Sequence, residues 1–378
     1  MSWVEKSLGE VLKLEYGKPL DKSLRKEGGK YPAYGANGIK AWSDEYFHDE
    51  ETIVVGRKGS AGELTLTDGK FWPLDVTYFV KTNKNDYDIK FLYYLLLSLD
   101  LPSLATGVKP GINRNNVYKI QAKFPSYSTQ KQVAGQLDKA FADIEQARAN
   151  TEQNLQNARE LFDSYLQQVF SESGDDWEET NLGAISELKN GLNYTQASKG
   201  ELVKIVGVKN FKDKFYISND ELETIQIDGT LSGAYHAKDG DIFIVRSNGN
   251  KALIGRSVLA KGVTGKVSHS GFTIRVRLSS SAILPSYLTH YLKSKHVHNL
   301  LIRSGEGANI SSLNQKALAS LPVRFPEKNE QLRLVHDIEA IQSKTMALVD
   351  VYEQKLAALD ELKQSLLQQA FTGQLTQG

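Results

Sequence analysis

The chain repeats itself, and that limits it more than any other feature, because a duplicated sequence folds into two like units plus whatever joins them. Residues 3–17 (WVEKSLGEVLKLEYG) and 177–191 (WEETNLGAISELKNG) share Trp3, Glu5, Leu8, Gly9, Leu14 and Gly17 at a constant shift of 174. Residues 53–57 (IVVGR) face 242–246 (IFIVR) at a shift of 189, and 75–81 (DVTYFVK) face 271–277 (GFTIRVR) at 196. From Phe124-Pro125 and Phe325-Pro326 onward the shift is 201 without a gap, and ten of nineteen positions are identical between 152–170 and 353–371. A shift that grows in steps means that the second copy carries insertions in its middle, where loops diverge on a common scaffold.

Each copy has a mixed first part and a helical second part. The first parts, 1–127 and 173–326, hold all nine prolines and nearly all the glycines. Short β-type runs at 52–55, 77–80, 241–245 and 272–277 are bounded by glycine-rich turns. One amphipathic helix is expected in each, near 89–97 and 286–292.

The second parts, 128–172 and 327–378, place apolar or small residues in steps of four and three. The first runs Val133, Leu137, Ala140, Ile144, Ala147, Thr151, Leu155, Ala158, Phe162, Tyr165, Val169. The second runs from Leu334 to Ala370 with only Lys363 breaking it. The extra step of four between Thr151 and Leu155 is a stutter, which locally unwinds a coiled coil. Each helix has about 40 residues and spans about 60 Å. A narrow seam of that length needs a partner, and the second helix starts where the second domain ends. The pattern therefore predicts antiparallel pairing, with Leu137, Ile144, Leu155, Phe162, Ile338, Leu348, Leu356 and Leu366 in the interface. The expected fold is α+β: two β-rich globular domains joined by two long antiparallel coiled-coil helices, arranged as a dumbbell about a pseudo-twofold axis.

A net charge of +1 hides a segregation. Residues 1–127 carry 18 basic and 16 acidic side chains and 173–326 carry 19 and 14, whereas 128–172 carry 4 and 7 and 327–378 carry 5 and 8. The domains are basic and the helices acidic. Within 242–324 twelve Lys and Arg stand against one acid, Glu306, with His269, His290, His296 and His298 among them. Such a surface suits a polyanion. Glycine-punctuated polar loops add side chains able to read base edges, Arg toward guanine and Asn toward adenine. The candidate DNA-binding residues are Arg57, Lys58, Ser60, Lys109, Asn113 and Arg114 in the first copy. In the second they are Arg246, Asn248, Asn250, Lys251, Arg256 and Arg303. Arg57 and Arg246 end equivalent strands.

Catalytic motifs are missing: there is no GxxxxGK phosphate loop, GxGxxG, HExxH or zinc-finger pattern. No GxSxG elbow occurs, nor the Asn-Pro-Pro-aromatic motif of adenine methyltransferases. The sequence has no cysteine, which excludes disulfides and thiolate metal sites. The His296-Val-His298 pair lacks further metal ligands nearby. The N-terminus lacks a secretory h-region, and the longest apolar run, 91–97, is too short to span a bilayer. A cytoplasmic binding protein is expected, without cofactor or metal of its own. Two other readings stay open on the residues alone: a self-contained DNA-modifying enzyme, and a coiled-coil scaffold with protein-binding heads.

Particular residues carry a family likeness. Each domain opens Trp-x-x-x-x-Leu-Gly, at Trp3 and Trp177, and closes on Asn113…Ile120…Phe124-Pro125 or Asn314…Leu321…Phe325-Pro326. Gln130 and Gln331 then open the helices, and the tail reads LKQSLLQQAFTG from Leu362. Over its whole length the chain resembles the specificity subunits of Type I restriction–modification systems. The resemblance implies that each globular part is a target-recognition domain reading one half of an asymmetric, interrupted site in double-stranded DNA. It implies that the helices set the spacing and dock two modification subunits. Those partners would bind S-adenosylmethionine, flip an adenine out of the duplex and methylate it. A restriction subunit, where present, would use ATP and Mg.

Overall fold

The structure is a computed structural model and describes residues 3–171, 174, 176–212, 214–303 and 312–372. Its contacts divide the chain into two units, Met1–Gln153 with Tyr352–Gly378, and Asn154–Val351. Each unit holds one β-rich domain, half of the first long helix and half of the second.

Unit 1 begins with β1 (Val4–Ser7), α1 (Leu8–Val11) and β2 (Leu12–Tyr16), then β3 (Tyr31–Gly35), β4 (Gly38–Ser43), β5 (Ile53–Gly56), β6 (Leu64–Leu66), β7 (Trp72–Pro73) and β8 (Thr77–Thr82). Helices α2 (Ile89–Ser98) and α3 (Arg114–Tyr118), strand β9 (Gln121–Phe124) and the long α4 (Tyr127–Ser171) follow. The central sheet runs β2-β8-β5-β6 and is antiparallel throughout. Both its faces are covered, which is why β5 reads as a continuous apolar run rather than an alternating one. Ile53, Val55, Tyr78 and Val80 join the core built with α2, while Val54 and Phe79 meet Tyr34 and Phe71 on the other side. A small second sheet, β4-β3-β7, supplies part of that second layer. Helix α2 is capped by Asp88, whose side chain accepts from the Phe91 N–H at 2.9 Å. It buries Phe91, Leu92, Leu95 and Leu96, each contributing about 1.5–3 kcal/mol.

Unit 2 repeats the plan with additions. After the second half of α4 come β10 (Glu178–Asn181), α5 (Leu182–Ile185), β11 (Ser186–Asn190), β12 (Leu202–Val206), β13 (Tyr216–Ile217), β14 (Glu223–Gln226), β15 (Ile242–Val245), β16 (Ser257–Ala260), β17 (Val267–His269) and β18 (Thr273–Leu278). Then come α6 (Pro285–Lys293), α7 (Lys295–Arg303), α8 (Gln315–Ala319), β19 (Pro322–Phe325) and the long α9 (Lys328–Phe371). The central order is β11-β18-β15-β16-β13, the same core with one strand added in parallel at its edge. Ile242 and Ile244 face one core, Phe243 and Val245 the other. The stretch between β11 and β15 also supplies β12 and β14 to a separate sheet, β14-β12-β17, whose third strand comes from between β16 and β18.

The motifs read from the sequence now have physical jobs. The strand that opens each domain pairs with the one that closes it, Val4 opposite Phe124 and Glu178 opposite Phe325. Gly9 and Gly183 let the short opening helix approach the short closing one, since a Cβ there would sit 3.0 Å from Tyr118 Cβ or 2.9 Å from Ala319 Cβ. Gln130 and Gln331 are buried and wired alike. Gln130 Nε2 donates to the Asp86 and Pro125 carbonyls at 3.1 and 3.0 Å, and its Oε1 accepts from the Asp88 N–H at 3.0 Å. Gln331 Nε2 donates to Ala282 and Pro326 at 2.8 Å each, and its Oε1 accepts from the Leu284 N–H at 2.8 Å. Each glutamine ties the start of a long helix to the loop before α2 or α6.

Within each unit the halves of α4 and α9 pack together, antiparallel. In unit 1, Leu137, Phe141 and Ile144 share a core with Leu359, Leu366, Leu367 and Ala370. Glu145 pairs with Lys363 at 2.9 Å and Arg148 pairs with Asp360, so a step forward on one helix is a step back on the other. Lys363, the residue that breaks the apolar seam, also lies 5.0 Å from the Phe141 ring centroid. In unit 2, Phe162, Leu166 and Phe170 share a core with Leu334, Val335 and Ile338. Leu155 and Leu356 are half-buried and Leu348 is 41 % exposed. No helix among the described residues is long and apolar enough to cross a membrane.

Candidate nucleic-acid interface

Two equivalent corners carry the polar loops. Strand β5 leads directly into Arg57, whose backbone N–H donates to Val76 O at 2.9 Å and whose carbonyl accepts from Ile112 N–H at 3.0 Å. Strand β15 leads directly into Arg246, whose N–H donates to Phe272 O at 2.8 Å and whose carbonyl accepts from Leu313 N–H at 2.7 Å. Both partners correspond in the repeat, Val76 with Phe272 and Ile112 with Leu313. Each corner thus joins the end of a central strand, a hairpin and the segment leading into α3 or α8.

In unit 1 the corner gathers the candidate residues of the first copy. Lys58 and Gly111 form an isolated bridge, and Gly59 N–H donates to Pro110 O at 3.0 Å. Lys58 and Lys109 are exposed. Gly56 must be glycine, since a Cβ there would lie 2.0 Å from Ser60 O. Asn113 caps α3, its Oδ1 accepting from Asn115 N–H at 2.9 Å. Arg114 Nη1 donates to Leu14 O at 3.2 Å. Arg57 donates from Nε and Nη2 to Asp75 O at 3.2 and 2.7 Å.

In unit 2 the loop is built by asparagines. Asn248 Oδ1 accepts from Asn250 N–H at 2.8 Å, and Asn250 Oδ1 from Ala252 N–H at 3.1 Å. Both amide oxygens shape the loop, which leaves the Nδ2 groups to meet a ligand rather than the paired acceptor and donor that adenine needs. Lys251 is exposed, and Arg256 Nε donates to Ala252 O at 3.3 Å. The Arg303 backbone closes α7; its side chain lies outside the described residues, as does Glu306.

Two residues missed in the sequence stand at these corners. Tyr16, 47 % exposed, lies beside Arg57 and Arg114. Phe272, 62 % exposed, forms the hairpin tip that holds the Arg246 N–H. Tyr16 directly precedes the repeated Gly17, and Phe272 sits in a Ser-Gly-Phe turn, but neither placement marks a site without the fold.

Counting charge along the chain overstates the basic surface of the second domain. Arg275 is fully buried, donating to the Ala234 and His236 carbonyls at 3.0 and 3.2 Å and pairing with Glu187 at 3.0 Å. Arg277 grips Asp241 with two bonds of 2.7 and 2.6 Å. Lys266 pairs with Glu201, Lys295 with Asp163 at 2.8 Å, and Arg324 with Glu179 at 3.4 Å. His269 and His290 are interior groups: burial drives each down to about 3, so both are neutral. Burial also lowers His298. Among the described residues no group of three or more His, Asp or Glu could hold a metal ion.

The architecture is duplicated: each unit holds one β-rich domain packed with halves of the two long helices. Residues 1–153 match the family model "Type I restriction modification DNA specificity domain". The chain is 27 % identical to the StySPI specificity subunit of Salmonella potsdam, over 72 % of this chain and 62 % of that relative's length. It is 22 % identical to the EcoDI specificity subunit of Escherichia coli, over 100 % of this chain and 89 % of that one. A solved chain described under complex assembly and conformational transition of the type I R-M system superposes with a TM-score of 0.74 at 15 % identity, covering 98 % of each. Along its length the chain is thus similar to the specificity subunits of Type I restriction–modification systems, and its first 153 residues match their DNA specificity domain.

Proposed function

We propose that the chain is the DNA-reading, non-catalytic subunit of a Type I restriction–modification complex in the cytoplasm. Residues 1–127 and 173–326 each recognise one half of a bipartite, asymmetric site in double-stranded DNA. Residues 128–172 and 327–378 set the spacing between halves and dock two modification subunits. S-adenosylmethionine belongs to those partners, and ATP and Mg to a restriction subunit where one is present. The observation that carries this reading is the matched pair of corners at Arg57 and Arg246, each framed by the same two backbone partners. A polar, basic corner repeated on a repeated scaffold suits a ligand that itself offers two separate sites. Phosphate contacts make such binding salt-dependent: with about six phosphates neutralised, log K falls with log[salt] at a slope near −5. Titrating DNA with the full chain and its modification partner across salt concentrations tests this, and a flat response overturns it. Mapping methylated adenines in host DNA with and without the gene tests the bipartite site.

A further inference from the structure

Two arginines of unit 1 converge on one tyrosine ring. The Arg57 guanidinium lies 5.3 Å from the Tyr16 ring centroid and that of Arg114 lies 4.9 Å from it. Tyr78 packs on the same ring at 5.1 Å. Neither arginine forms an ion pair among the described residues; each is held by a main-chain carbonyl, Arg57 by Asp75 and Arg114 by Leu14. Two cations sharing one ring without a carboxylate repel each other, and an electron-rich ligand relieves that repulsion.

The hydrogen bonds of Arg57 decide which edge stays open. Nε and Nη2 both point at Asp75 O, which occupies the side edge of the planar group. The remaining parallel pair, one N–H of Nη1 and one of Nη2, faces away from that carbonyl because the five donors are fixed in a fork. A parallel N–H pair matches O6 and N7 of guanine in the major groove. A guanidinium already stacked and tethered also loses less side-chain freedom on contact.

We propose that Arg57 reads a guanine in the half-site of unit 1 through this open edge, with Tyr16 and the Asp75 carbonyl as positioning groups and Arg114 as the second cation at the ring. The inference rests on the DNA-reading function proposed above. It does not extend to unit 2, where the repeat places Asn190, Gly271 and Gln315 at the positions of Tyr16, Asp75 and Arg114. Among the described residues Arg246 has no aromatic ring beneath it.

The test uses the full chain with its modification partner and a panel of sites in which each base pair is exchanged in turn. The unaltered protein should prefer guanine at one position of the first half-site by roughly 10- to 100-fold. R57K keeps the charge but not the fork, and should lose that preference while keeping every other position and the salt slope. Replacing that guanine by 7-deazaguanine, which removes N7, should weaken the unaltered protein severalfold and leave R57K unchanged. Y16A should reduce the same preference and Y16F restore it, since the ring and not the hydroxyl does the positioning. An R57K protein that discriminates as before at every position, or that weakens all sequences equally, overturns the assignment. Equal behaviour of Y16A and Y16F overturns the role of the ring. An unaltered protein with no sequence preference and no salt dependence defeats the DNA-reading function itself.

Discussion

In unit 1 the corner at the end of β5 is stiffened by an aromatic ring, two arginines and a bridge between neighbouring loops. In unit 2 the corner at the end of β15 is shaped by asparagine turns and fronted by an exposed phenylalanine. Beneath both lie the same central sheet, the same clamp between opening and closing strands and the same buried glutamine. On the function proposed above, the difference teaches that scaffold and corner answer to separate demands. A core residue must fit its neighbours in the same chain, whereas a corner residue, on that proposal, answers to the DNA it meets. The units differ inside as well: the second buries Arg275, His269 and His290, while the histidine of the first, His48, is half-buried.

That interior contrast gives the largest expected effect. His269 and His290 are held near 3 in the folded protein against 6.5 for the free group. Each binds a proton only when the chain unfolds, so its contribution is whole above pH 6.5 and shrinks as pH falls from there toward 3. At pH 5 the loss is about 2 kcal/mol for each histidine, about 4 kcal/mol together. His48 is lowered too, by burial, but unit 1 has no fully buried counterpart. Hydrogen exchange followed segment by segment between pH 7 and pH 5 should show unit 2 losing protection first. Parallel loss in both units would break the contrast.

The shared glutamine should behave alike in both. Q130A or Q331A strips partners from two carbonyls and one N–H, at a cost of about 3 kcal/mol. Protection in the domain that carries the change should fall by a similar amount in either case. A difference above about 2 kcal/mol between the two substitutions would mean that the two ties, equal in geometry, are unequal in energy.

At the two corners the expected effects are smaller and separate cleanly. Changing Arg246 should relax recognition of one half-site only, and changing Arg57 the other, each by about 1–3 kcal/mol at the affected position. Binding measured against permuted half-sites checks this, and equal weakening of all sequences would reassign either arginine to phosphate. The smallest effect is expected for F272A. Removing an exposed phenyl should leave stability within about 0.5 kcal/mol and shift preference in the second half-site alone, through lost contact with a thymine methyl or a base step.

Much of the plan was legible in the residues because it rests on local periodicity. The heptad steps from Val133 to Val169 and from Leu334 to Ala370 mark α4 and α9, and the runs at β5, β8, β15 and β18 mark the central strands. Repeated Trp, Leu-Gly and Phe-Pro signposts mark where each domain opens and closes. The small second sheets were not legible: β3, β4, β12 and β14 mix buried and exposed residues without a clean alternation, and pair across long loops. Charge was misleading at Arg275 and Arg277, because a basic residue in sequence carries no sign of whether an interior carboxylate or carbonyl awaits it. Pairing of the helices follows from the sequence, since a continuous apolar seam on each must leave water. Which corner residues meet does not. Tyr16, Arg57 and Arg114 come from three separate segments, and only the packing of β2, β5 and α3 around one core brings a ring and two cations to the same place.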